Sequence, residues 1–132
     1  MPYAPTFPTM QKILTPDAPQ PIGPYSQAIL AGNTLYCSGQ IPLDPYTNTM
    51  VPGGITEQTE RVCKNIEAVL TAAGVGFDNV VKANCYLTDM ANFAAFNAVF
   101  AKYFTSAPAR ACIAAKQLPK DSLVEIEVIA VV

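Results

Sequence analysis

The C-terminal run LVEIEVIAVV, residues 123–132, constrains the fold more than any other stretch of the chain. In an extended chain, successive side chains point to opposite faces. Val124, Ile126, Val128, Ala130 and Val132 therefore form one unbroken apolar face, and Leu123, Glu125, Glu127, Ile129 and Val131 form the other. A helix would scatter these residues around its circumference, whereas a strand sorts them. The apolar face has to be covered by a second layer, and the opposite face sets two carboxylates among aliphatic side chains.

Two helical patterns supply the covering layer. From about residue 56 to 73, Val62, Ile66, Val69, Leu70 and Ala73 fall on one stripe, and Gly74 stops the helix. On its polar side Glu57 precedes Arg61 and Glu60 precedes Lys64 by four residues, the favourable orientation for helix ion pairs. A second helix, about 92–104, carries Phe93, Phe96, Phe100, Tyr103 and Phe104, an aromatic stripe that reads as core. Further strands are expected at 12–15, on either side of Gly32-Asn33, at 80–88 and at 109–116; Gly-Asn between two β-type runs is a hairpin signal. The two intervening stretches, DAPQPIGPYSQ and PLDPYTNTMVPGG, read as loops. The order βββαβαββ predicts an α+β fold: a single mixed sheet with two helices packed on one face. Residues 12–132 are expected to form one domain, preceded by an irregular proline-rich arm, 1–11.

The absence of histidine narrows the chemistry sharply. It removes Ser-His and Cys-His nucleophile pairs and most catalytic zinc or iron sites. Cys37, Cys63, Cys85 and Cys112 contain no CxxC pair and read as free thiols of a reducing compartment. A net charge of -2 with scattered lysines offers no field for nucleic acid, and no apolar run reaches membrane-spanning length. The expected location is the cytoplasm, with the mitochondrial matrix as the other candidate. With 51% hydrophobic and 14% charged residues, part of the apolar surface is expected to meet another subunit.

Chemistry must then rest on carboxylates, Arg, Lys, Tyr, Ser or backbone groups. Of the two arginines, Arg61 is explained as a solvated helix charge, which leaves Arg110 at the head of ARACIAAK. Alternation puts Ala111, Ile113 and Ala115 on one face of that strand, and Arg110, Cys112 and Ala114 on the other. If the small apolar set faces the helices, Arg110 shares the uncovered side with Glu125. Together they are either a carboxylate clamp with a water-positioning acid, or a structural cross-strand ion pair. Glu127 has the same alternation and is expected nearer the rim. GPYSQ places Tyr25 on a rigid loop, and CSGQ ends a strand with Ser38 and Gly39; a proline turn and a β-bulge are the plain alternatives. Cys112, in an apolar strand without histidine, reads as a neutral thiol.

IGPYSQA (22–28), SGQIPLDP (38–45), NIEAVLTAAG (65–74), PARACIA (108–114) and LPKDSLVEIEVIAV (118–131) resemble, in order and spacing, the RidA/YjgF family of reactive enamine/imine deaminases. The resemblance implies a chorismate-mutase-like homotrimer with a barrel-like centre and active sites in clefts between subunits. It implies cofactor-free hydrolysis of 2-iminopropanoate and 2-iminobutanoate, released by pyridoxal-phosphate-dependent dehydratases, to 2-keto acids and ammonia. Arg110 would bind the substrate carboxylate and Glu125 would hold the attacking water. Tyr25, Ser38, and the backbone of Gly39 and Cys112 would line the pocket. Ala111 stands where many members have serine or threonine, with its side chain expected toward the core. Relatives are also linked to translation inhibition, RNA cleavage or chaperone-like holding. A keto-acid-binding regulatory module is the non-catalytic alternative.

Overall fold

A computed structural model describes residues 10–132. In chain order the elements are β1 (Met10–Ile13), β2 (Ala28–Ala31), β3 (Thr34–Gln40), β4 (Leu43–Asp44), β5 (Thr49–Met50), α1 (Ile55–Ala72), β6 (Val80–Leu87), α2 (Phe93–Tyr103), β7 (Ala109–Ala114) and β8 (Val124–Val131). β1 takes in Met10 and Gln11, which the sequence reading gave to the arm; residues 1–9 lie outside the described part. The proline-rich stretch after Ile41 also folds further than expected, into the short β4–β5 hairpin.

Six strands form one sheet in the order β1-β2-β3-β8-β6-β7. All neighbours are antiparallel except β6 and β7, which run parallel on either side of α2. This is the mixed α+β sheet that the strand and helix patterns predict. β8 lies at its centre, between β3 and β6, which explains its strict alternation: a central strand with one covered face has no freedom to slip register. Val124, Ile126, Val128 and Ala130 are at most 2% exposed, beneath the α1 stripe of Val62, Ile66, Val69 and Leu70. Gly32 turns the β2–β3 hairpin and Gly74 ends α1, each with positive φ.

Two local expectations give way. The Glu57–Arg61 and Glu60–Lys64 pairs do not form. Glu60 instead bonds Lys102 and the Tyr103 hydroxyl of α2, and Arg61 donates through Nε to Asn65. Helix packing brings the α2 partners within bonding reach, so Glu60 bridges the two helices.

The larger correction concerns β7. Its parallel register sets Ala83 beside Arg110, Cys85 beside Cys112 and Leu87 beside Ala114. Ala83, Cys85 and Leu87 are fully buried on the helix side, so Arg110 and Cys112 face the helices. Ala111 and Ile113 face the uncovered side, where Ile113 is 56% exposed. Arg110 and Glu125 therefore lie on opposite faces of the sheet, and Ala111 points away from the core. Both faces of β7 carry mostly small side chains, so alternation alone had no contrast by which to orient it. What orients it is the aromatic surface of α2, which accepts a guanidinium as readily as an aliphatic group.

Candidate active site

On the uncovered face, β3 pairs with β8 through Cys37–Val128 and Gln40–Ile126, three steps along one strand against two along the other. The extra residue makes a β-bulge at Ser38–Gly39, a device that redirects side chains beside functional sites. A Cβ on Gly39 would overlap the Glu125 carboxylate, lying 2.9 Å from its Cδ. Only the missing side chain lets Glu125 lie against the bulge. Ser38 points its hydroxyl to the Ser26 carbonyl at 2.5 Å, and its backbone N–H donates to Gln27 O at 2.9 Å. These bonds fasten the bulge to the loop that carries Tyr25.

That loop is held from inside by Gln27. Its buried amide accepts from Thr15 N and donates to the carbonyls of Thr15, Ala18 and Pro19 at 2.7–3.3 Å. A proline-rich segment has few N–H groups with which to fasten itself, and one buried glutamine supplies both donor and acceptor. Tyr25, with its hydroxyl receiving a bond from Ile22 N, is thereby set over a cleft of about 410 Å³ lined also by Ile22, Ser38, Gly39, Ile41, Pro119, Glu125 and Glu127.

The two glutamates of this cleft differ. Glu127, expected at the rim, lines the cleft and accepts from Asn84 Nδ2 at 3.1 Å and the Tyr86 hydroxyl at 3.0 Å. Both donors sit on β6, with Asn84 directly across the ladder. Glu125 receives neither bond. Burial, and after it the charge of Glu127, holds its carboxyl above the usual carboxylate range. The pair thus contains one carboxylate fixed by two donors and one loosely held group ready to exchange a proton.

Arg110 lies at the other side of the sheet, on the edge strand β7. Its guanidinium carbon is 4.9 Å from the Phe100 ring centre, 5.4 Å from that of Phe93 and 5.9 Å from that of Phe96, and Nη1 donates to Asn97 Oδ1 at 2.7 Å. A second hollow, of about 390 Å³, opens beside it between Phe100, Phe104, Ala107 and Pro108. Cys112 follows two residues later on the same face, half-buried against the core; burial pushes its thiol up while Arg110 opposes the shift.

The sequence has close relatives of known family. The model of the family described as endoribonuclease L-PSP, which covers the RidA/YjgF proteins, matches residues 15–132. The chain belongs to the RidA/YjgF family. It is 54% identical over 119 residues to a RutC family protein of Pyrococcus horikoshii, covering 89% of this chain and 94% of that one. It is 49% identical over 120 residues to the 2-iminobutanoate/2-iminopropanoate deaminase of Capra hircus, covering 90% and 88%. The solved structure of RidA from an Antarctic Psychrobacter superposes with a TM-score of 0.89 at 44% identity, covering 92% of this chain and 99% of that one.

Within this RidA/YjgF fold, four of the six residues singled out from sequence gather in one cleft: Tyr25, Ser38, Gly39 and Glu125. Arg110 and Cys112 do not join them within one chain. Sequence reasoning missed Gln27, Asn84 and Tyr86, whose contacts are made across strands and loops. It also missed Asn97, although a lone amide within an aromatic stripe was a visible irregularity.

Proposed function

We propose that the protein is a 2-iminobutanoate/2-iminopropanoate deaminase, and that two copies build each site. Arg110 of one copy binds the substrate carboxylate, and Glu125 of another handles the proton. The observation that carries this reading is the separation of two groups: a loosely held carboxyl, raised by burial, in a cleft that no cation among the described residues lines, and a cation on the opposite face at an exposed sheet edge. The exposed apolar side chains Tyr36, Val81 and Ile113 supply surface for the copies to meet.

The reaction asks little of the protein. The imine carbon is already electrophilic, so orientation and proton transfer supply most of what is needed. Glu125 takes a proton from the attacking water as the oxygen bonds to the imine carbon and passes that proton to the nitrogen, giving a carbinolamine. Glu125 then takes the carbinol hydroxyl proton and delivers it to the amino nitrogen as the C–N bond breaks, so that the keto acid forms and ammonia leaves. Tyr25 and the Ser38–Gly39 bulge close the cleft around the reacting carbon. The relatives named as deaminases support the assignment, and the paired glutamates oppose phosphate-rich ligands such as RNA.

The test is ammonia release from imines generated in situ by a threonine dehydratase. Arg110→Ala and Glu125→Ala are each expected to be inactive, while mixed assemblies refolded from the two recover activity through sites that draw one intact residue from each copy. Wild-type protein that binds 2-ketobutyrate without accelerating ammonia release would instead be a binding module. Activity retained by Arg110→Ala would overturn the clamp, and two inactive variants that stay inactive after mixing would place both residues in one chain's site.

A further inference from the structure

The reading of Arg110 as the carboxylate clamp leaves open what aims it. A lone arginine at an exposed strand edge has about 2 kcal/mol of rotamer entropy to lose before it can meet a carboxylate in a single geometry. Here that order is built in. Asn97 occupies one of the five guanidinium donors at 2.7 Å, and the Phe100 ring lies under the guanidinium face at 4.9 Å. Asn97 and Phe100 belong to α2, one turn apart in the middle of the helix, where backbone hydrogen bonds and core packing fix their positions. Phe100 is itself buried and stacked on Phe104 at 4.1 Å, so the shelf is rigid. The remaining guanidinium donors are left for an incoming anion.

We propose that Asn97 and Phe100 form a positioning cradle for Arg110, preorganising the guanidinium for the planar carboxylate of a 2-imino acid. This rests on the clamp reading above and adds residues that touch neither substrate nor reacting atoms. The amide side chain suits the task because it is a neutral acceptor. An aspartate at the same place would hold the arginine equally well but would compete with the substrate for its charge. The aromatic face, by contrast, attracts the cation without neutralising it.

A cradle acts on substrate binding, whereas a purely structural role acts on stability, and steady-state kinetics combined with melting separates them. Asn97→Ala is expected to raise KM for the dehydratase-generated imine about ten-fold while kcat changes far less, the loss of one charge-assisted hydrogen bond. Calorimetric affinity for 2-ketobutyrate should fall by the same factor. Phe100→Leu, which keeps an apolar group in the core and removes the ring, should shift KM in the same direction and decides the matter if Asn97→Ala does not fold. A folded variant with unchanged KM, whatever its kcat, overturns the cradle. If Arg110→Ala itself keeps a normal KM, the clamp has failed and not merely its support.

Discussion

The two faces of the sheet hold opposite kinds of charged group. On the uncovered face, Glu125 sits half-buried against a bulge, with its proton affinity raised and no cation beside it among the described residues. On the helix side, Arg110 lies exposed on an aromatic shelf, held by Asn97 and, among the described residues, with no carboxylate beside it. The carboxyl is tuned by being taken out of water, and the guanidinium is aimed while left in it. A buried lone arginine would be costly to desolvate, whereas a buried carboxyl can relieve the cost by keeping its proton. The contrast suits the proposed site between two copies: each group is tolerable in the single chain, and the proposal joins them where one copy's edge meets another's cleft.

Substitutions at the cleft and at the edge should separate these roles. After the inactive Arg110→Ala and Glu125→Ala variants, the largest effect is expected at Gly39. The added methyl of Gly39→Ala must displace the Glu125 carboxylate, and a misplacement of about 1 Å costs about a hundred-fold in kcat/KM. Retained affinity for 2-ketobutyrate would confine the damage to the acid half, whereas unchanged turnover would remove Glu125 from the chemistry. Next comes Glu127→Gln, which keeps an oxygen for Asn84 and Tyr86 but deletes a charge that raises Glu125. With that charge gone, Glu125 ionises at lower pH, so the acid limb of kcat/KM should move to lower pH. Because burial is the larger cause, the limb should remain above the range of an exposed glutamate. A limb that stays in place would mean that Glu125 is not the titrating group. The smallest effect is expected at the edge strand: Cys112→Ala, which removes a thiol but no backbone group, should change activity by no more than about two-fold. A collapse of activity there would show that the side chain takes part.

Legibility from sequence followed the strength of local contrast. In β8, alternation between aliphatic and acidic residues identified both faces correctly, including the one that carries Glu125. The α1 stripe and its glycine stop were equally readable. In β7, small residues on both sides left the orientation undetermined, and Arg110 was assigned to the wrong face. The β4–β5 hairpin was lost among prolines, whose turn signals mask a two-residue strand. Glu127 was expected at the rim because a carboxylate without a visible partner prefers solvent. Its partners, Asn84 and Tyr86, come from a strand forty residues earlier, which no local pattern could bring beside it.

The sequence by itself determined that the chain forms one α+β sheet with a covered face, that any chemistry must proceed without histidine, and which family it joins. These follow from periodicity, composition and motif order, all carried in the one-dimensional chain. Tertiary structure alone decided that Arg110 and Glu125 stand on opposite faces, that Gly39 makes room for the carboxylate, and that Asn97 steadies the arginine. Those facts depend on strand pairing and helix docking, which join residues distant along the chain and set the face that each side chain takes.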